Sequence, residues 1–87
     1  MDILYTDLAL KQLTKISTGD KKSAQRIVSK IEEYAGNPEG RYDIKLLKGD
    51  FGGRLRMRIG DYRIIFKLDN NEMVISTIRH RQEAYND

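Results

Sequence analysis

The sequence predicts an α+β fold: a short strand, a two-helix hairpin, then a three-stranded antiparallel meander closed by a short C-terminal turn or helix. Two patterns carry that expectation. Apolar residues recur at intervals of three and four between Ala9 and Tyr34, and from Arg54 onward apolar and polar residues alternate. Size adds a third constraint, because 87 residues can bury one core and no more, so residues 1–87 are expected to form a single domain.

Ile3-Leu4-Tyr5 reads as the first strand, and Thr6 or Asp7 can then cap a helix whose apolar positions are Ala9, Leu10, Leu13 and Ile16. Ser17-Thr18-Gly19 is expected to stop it. Asp20 suits the N-cap of a second helix, with Ala24, Ile27, Val28, Ile31 and Tyr34 as its core stripe and Gly36-Asn37-Pro38 as its end. Residues 39–53 hold Gly40, Gly49, Gly52 and Gly53 and read as a connection, from which Ile44, Leu46 and Leu47 are placed to reach back to the core. Strands are then expected over Arg54–Ile59, Tyr62–Leu68 and Met73–Ile78, joined at Gly60-Asp61 and Asp69-Asn70-Asn71. The tail from Arg81 to Asp87 has room for one helical turn.

Composition removes several classes of function. With no cysteine there is neither a disulfide framework nor a thiolate metal site, and the cytoplasm is the default compartment. The start, Met1-Asp-Ile-Leu-Tyr-Thr-Asp7, lacks a basic leader, and no apolar run is long enough to span a bilayer, so no membrane role is expected. No nucleotide loop is present either, since Gly52-Gly53 lacks the following lysine and hydroxyl residue, and no cofactor is expected.

The net charge of +3 is unevenly placed. Arg54, Arg56 and Arg58 alternate with Leu55, Met57 and Ile59, and Arg63 follows the next turn. In a strand this puts three guanidinium groups on one face and the apolar side chains on the other, at a cost in self-repulsion unless an anion binds. Near the end Arg79-His80-Arg81 precedes Tyr85 by four residues. Both features suit a polyanion; lipid is disfavoured, because the cations lie on a strand and no basic amphipathic helix accompanies them. A solvated strand edge or a docking surface for an acidic protein segment would show the same residues. Tyr62 lies on an aliphatic strand and is read as core packing, and His80, the only histidine, as structural, because one imidazole cannot form a paired acid and base.

Taken together, Lys45-Leu-Leu-Lys-Gly49, Leu55-Arg-Met-Arg-Ile-Gly-Asp-Tyr-Arg-Ile-Ile-Phe66 and Arg79-His-Arg-Gln-Glu-Ala-Tyr85 resemble the RelE/ParE toxin superfamily over essentially the whole chain. The resemblance implies the RelE-like microbial RNase fold and the toxin of a type II toxin–antitoxin pair, neutralised by a cognate antitoxin. RelE-like members cut mRNA on the ribosome, whereas ParE-like members poison DNA gyrase and are not nucleases. The slots used by the RNA cutters are filled here by Arg54 or Arg56, by Arg63, by Arg79 or Arg81, and by Tyr85. A RelE-like endoribonuclease is the expected function. The alternatives are a ParE-like gyrase inhibitor and an inactive homologue whose arginines only hold an acidic partner segment.

Metal-free RNA cleavage uses attack of the 2'-hydroxyl on the adjacent phosphorus, which requires a base, charge stabilisation for the phosphorane and a proton for the leaving 5'-oxygen. DNA lacks that hydroxyl. Arg54, Arg56 and Arg63 can clamp non-bridging oxygens in the guanidinium fork, and Tyr85 can act as the base if Arg79 or Arg81 favours its phenolate form. The arginine strand departs from those RNA-cutting members that place lysine there. Guanidinium keeps its proton at neutral pH, so the strand supplies no general acid.

Overall fold

The computed structural model describes residues 1–49 and 52–84, the last two by backbone alone. Its elements are β1 (Asp2–Tyr5), α1 (Asp7–Gly19), α2 (Lys21–Gly36), β2 (Ile44–Leu46), β3 (Leu55–Ile59), β4 (Tyr62–Asp69), β5 (Glu72–His80) and α3 (Arg81–Ala84). The strands form one mixed sheet in the order β1-β5-β4-β3-β2. β1 runs parallel to β5 and every other pairing is antiparallel. The α+β class therefore holds, with one more strand than the sequence pattern suggested. Among the described residues no helix is long and apolar enough to cross a membrane.

Two boundaries differ for identifiable reasons. Ser17, Thr18 and Gly19 do not stop α1 but form its last turn; the Thr18 hydroxyl donates to the Thr14 carbonyl at 3.0 Å, and the Asp20 N–H donates to the Ile16 carbonyl. Asp20 thus closes one helix while opening the next, its carboxylate accepting from the Ser23 N–H at 3.1 Å and the Ser23 hydroxyl at 2.6 Å. These bonds, the hydroxyl's first, hold the Asp20 carboxyl below its ordinary range. The second difference is β2, inside what reads as a glycine-rich connection. Ile44 pairs with Met57 and packs on the core, but Leu46, opposite Leu55, stays 66% exposed.

Both helices cover the same sheet face. Ala9, Ile27, Ile31 and Tyr34 meet Met57, Ile59, Ile64, Phe66, Met73, Ile75 and Ile78 in a single core. Phe66 is fully buried at its centre, with the Tyr34 ring edge-on at 5.5 Å. The β4–β5 turn at Asn70-Asn71 has positive φ at both residues, the geometry of a two-residue type I' hairpin that asparagine tolerates. At the β3–β4 turn only Gly60 has positive φ, at 59°, where a side chain would be strained.

β1 ends opposite Ile75, which leaves the edge of β5 exposed from Ser76 onward. Thr6 and Gln12 cover it: the Thr6 N–H and hydroxyl donate to the carbonyls of Ile75 and Ser76 at 3.0 and 2.9 Å, and the Gln12 side-chain oxygen accepts from the Ile78 N–H at 2.7 Å. Thr6 also caps α1 by accepting from the Ala9 N–H at 3.1 Å. Removing the hydroxyl loses a cap and a strand-edge bond together, so Thr6→Ala is expected to cost about 1–2 kcal/mol and lower Tm by about 5–10 °C in thermal denaturation. An unchanged Tm would refute that double role.

Candidate functional site

In the sheet register Met57 lies opposite Ile64, and Ile64 opposite Ile78, all three buried against the helices. One residue further along each strand the side chains turn to the other face. There Arg58 lies opposite Arg63, and Arg63 opposite Arg79. Three guanidinium-bearing residues therefore form one straight row across β3, β4 and β5, spanning about 10 Å at ordinary strand spacing. Like charges directly opposite each other in a sheet cost stability, of the order of 0.2–1 kcal/mol per pair, and a polyanion lying along the row removes that cost.

Arg79 reaches this row because of an irregularity in β5. Ile65 pairs with Thr77 but Phe66 with Ile75, so Ser76 is an extra residue, its hydroxyl donating to the Ile65 carbonyl at 3.1 Å. This bulge changes the phase of alternation, so that Ile75 and Ile78, three residues apart, both enter the core. Plain alternation from Met73 and Ile75 would have put Arg79 on the core side. The bulge turns it outward beside Arg63.

The second row of this face is Lys45, Arg56, Ile65 and Thr77. Arg56 is buried, and its Nη2 contacts the Asp43 carboxylate at 3.2 Å. The loop before β2 thus brings an acidic neighbour to the arginine strand. Arg54 lies just before β3 and closes the preceding loop, its carbonyl accepting from the Leu47 N–H at 3.0 Å. Of the arginines expected from the sequence, Arg63 and Arg79 share a row, Arg56 stands in the next, and Arg54 lies at the entry of the strand.

At the C-terminal end the Arg81 N–H donates to the Asp61 carbonyl at 2.7 Å, and its Nε lies 3.9 Å from the Asp61 carboxylate. Both groups are well exposed, so the ion pair itself stabilises little. His80 Nδ1 accepts from the Gln82 N–H at 3.2 Å, and its ring meets that of Tyr62 edge-on at 5.2 Å. Tyr62 packs on the core and His80 tethers the start of α3, in line with the structural reading of both. Tyr85 lies outside the described residues.

Arg58 is the residue that sequence reasoning passed over. Local alternation puts it on the arginine strand, but only the register to Arg63 places it in the row. Its signal in the sequence is its distance from the Gly60-Asp61 turn: a two-residue hairpin pairs Ile59 with Tyr62 and hence Arg58 with Arg63. Among the described residues no group of three or more His, Cys, Asp or Glu side chains is placed to hold a metal ion. The arrangement can bind a chain of phosphates and stabilise negative charge developing on one of them.

A family model for the ParE toxin of the type II toxin–antitoxin system parDE matches residues 3–85. The chain is 24% identical over 85 residues to toxin RelE3 of Methanocaldococcus jannaschii, covering 98% of this chain and 96% of that protein. Among solved structures it is similar to the RelB–RelE antitoxin–toxin complex from Methanococcus jannaschii, with a TM-score of 0.76, 24% identity and 95% of each chain covered. The YoeB dimer from Staphylococcus aureus gives a TM-score of 0.77 at 22% identity, covering 92% of this chain and 95% of that one. At these identities the solved structures speak for the fold.

Proposed function

Because this chain belongs to the family of ParE toxins of type II toxin–antitoxin systems, within the RelE/ParE superfamily, we propose that it is a RelE-like, metal-independent endoribonuclease that cuts mRNA on the ribosome and so stops translation. The observation that carries this reading is the aligned row of Arg58, Arg63 and Arg79 on the face of the sheet away from the helices. Guanidinium groups held on a rigid sheet can grip non-bridging phosphate oxygens in bidentate fashion and need not reorganise as charge builds on the phosphorane. The 2'-oxygen attacks phosphorus, its proton passes to a base, and the bond from phosphorus to the 5'-oxygen breaks as that oxygen takes up a proton. Arg63, at the centre of the row, is assigned the phosphorane, Arg58 and Arg79 the flanking oxygens, and Tyr85 the base. Arg54 and Arg81 extend the same cationic surface toward the neighbouring nucleotides, while the buried Arg56, held by Asp43, backs it from within the sheet face.

A cognate antitoxin is the proposed protein partner, supported by the RelB-bound and YefM-bound states of similar toxins. Its acidic or amphipathic segment would compete with RNA for the open face. A second reading, inhibition of DNA gyrase, rests on the match to the ParE toxin family and on the activity that a ParE-like resemblance implies. Tyr85→Phe separates the two, since a nuclease using the phenol as base loses growth arrest by about 10²-fold or more in induced cells, whereas a gyrase poison needs no base at that position. Full toxicity in the phenylalanine variant, with supercoiling by gyrase impaired, would overturn the nuclease assignment.

A further inference from the structure

The arginine row does not stop at Arg58. β2 begins only opposite Met57, so beside Arg58 the edge of β3 meets the backbone of the preceding loop, whose Asp43 carbonyl accepts from the Arg58 N–H at 2.9 Å. There a cleft of about 190 Å³ opens, walled by Lys30 of α2, by Arg41, Tyr42 and Asp43 of the loop, and by Arg58, with Met57 beneath. We infer that this cleft is a phosphate subsite for single-stranded RNA, into which the chain leaving the arginine row passes over the edge of the sheet.

Among the described residues three cations line the cleft and one carboxylate, Asp43, and that carboxylate is engaged by the buried Arg56. Lys30 pairs with Glu33 at 3.2 Å, but both side chains are substantially exposed and sit at i and i+3 on one helix, a pairing weak enough for a phosphate to displace. The cleft is also held in shape. The Tyr42 hydroxyl lies 2.7 Å from the Asn37 carbonyl and 3.2 Å from that of Glu33, and its ring meets Tyr34 edge-on at 5.1 Å, which fixes the loop carrying Arg41 and Asp43. An amphipathic protein segment would need an apolar anchor here. Among the described residues none of the exposed large apolar side chains, Leu4, Leu8, Leu10, Leu46 and Leu68, lines the cleft, whereas a sugar-phosphate chain needs only charge and room.

This inference rests on the ribonuclease reading, and the experiment keeps the two apart. Nuclease-resistant 2'-O-methyl oligoribonucleotides of about four and about ten nucleotides, shorter and longer than the arginine row can hold, are titrated into wild type, Arg63→Ala and the double variant Lys30→Ala/Arg41→Ala across a range of salt. The double variant is expected to bind the short oligonucleotide as wild type does and the long one about tenfold more weakly. Its salt slope should fall by about 1.4, the loss of two phosphate contacts on a single strand. Both substituted positions are on the surface, and an unchanged Tm verifies folding. Equal affinity and equal slope for the long oligonucleotide would overturn the subsite while leaving the nuclease reading intact. Loss of antitoxin binding in the double variant with RNA binding unchanged would reassign the cleft to the protein partner. If wild type binds neither oligonucleotide, the RNA reading itself fails and the subsite with it.

Discussion

Arg63→Ala is expected to lower mRNA cleavage by about 10²–10³-fold, the usual penalty for removing one fixed donor from a site that stabilises developing negative charge. Arg63 is the only member of the row with an arginine opposite it on both sides, so its loss breaks the line of charge in two. Truncating Arg58 or Arg79 shortens the row and leaves two neighbours in contact, with a smaller expected loss, about tenfold each. Arg63→Lys separates charge from geometry, because it keeps the cation but loses the planar fork, and is expected to recover no more than about a tenth of the wild-type rate. Removing one of three aligned like charges relieves repulsion, which offsets part of the lost packing, so Tm is expected to stay within about 5 °C. Cleavage by the alanine variant within about threefold of wild type would remove Arg63 from the chemistry.

Phe66→Ala is expected to have the largest effect on stability. The side chain is fully buried between the Tyr34 ring and the sheet, and its truncation leaves a cavity the surrounding strands cannot close. Such losses cost about 3–5 kcal/mol, against about 5–15 kcal/mol for a whole domain, so Tm should drop by about 15 °C or more and the denaturation midpoint should fall with little change in slope. Phe66→Leu keeps most of the volume and is expected to cost about 1–1.5 kcal/mol. If the alanine variant lost less than about 1 kcal/mol, the core would not be centred on Phe66.

Elements with strong periodicity were legible in the sequence. The stripe Ala24, Ile27, Ile31 and Tyr34 is the buried face of α2, and the alternation through Leu55, Met57 and Ile59 is the core face of β3. Less legible were features that depend on distant partners. β2 has only three residues, and the exposed Leu46 gives it no clean pattern of its own; its pairing with β3 creates it. The end of α1 is obscured because Ser17, Thr18 and Gly19 are weak helix formers, yet the bond from the Asp20 N–H to the Ile16 carbonyl carries the helix through them.

The candidate site divides in the same way. That arginines would face away from the core followed from local alternation, whereas Arg56 acquires Asp43 only through the loop that precedes β2. The position of Arg79 depends on the bulge at Ser76, a one-residue change of phase that no pattern in β5 announces, since Ser76 and Thr77 are both small and polar. Arg58 could be placed by counting from the two-residue turn, but its neighbours Lys30 and Arg41 come from elements far apart in the chain.

The most direct test of the central claim is primer extension on a reporter mRNA after induction of this protein, comparing wild type with Arg63→Ala and repeating the measurement with translation initiation blocked. Cuts within the coding region that disappear in the alanine variant, and disappear in wild type when initiation is blocked, are the expected result. Growth arrest with no cuts in wild type, accompanied by DNA damage, would contradict it and make gyrase the target.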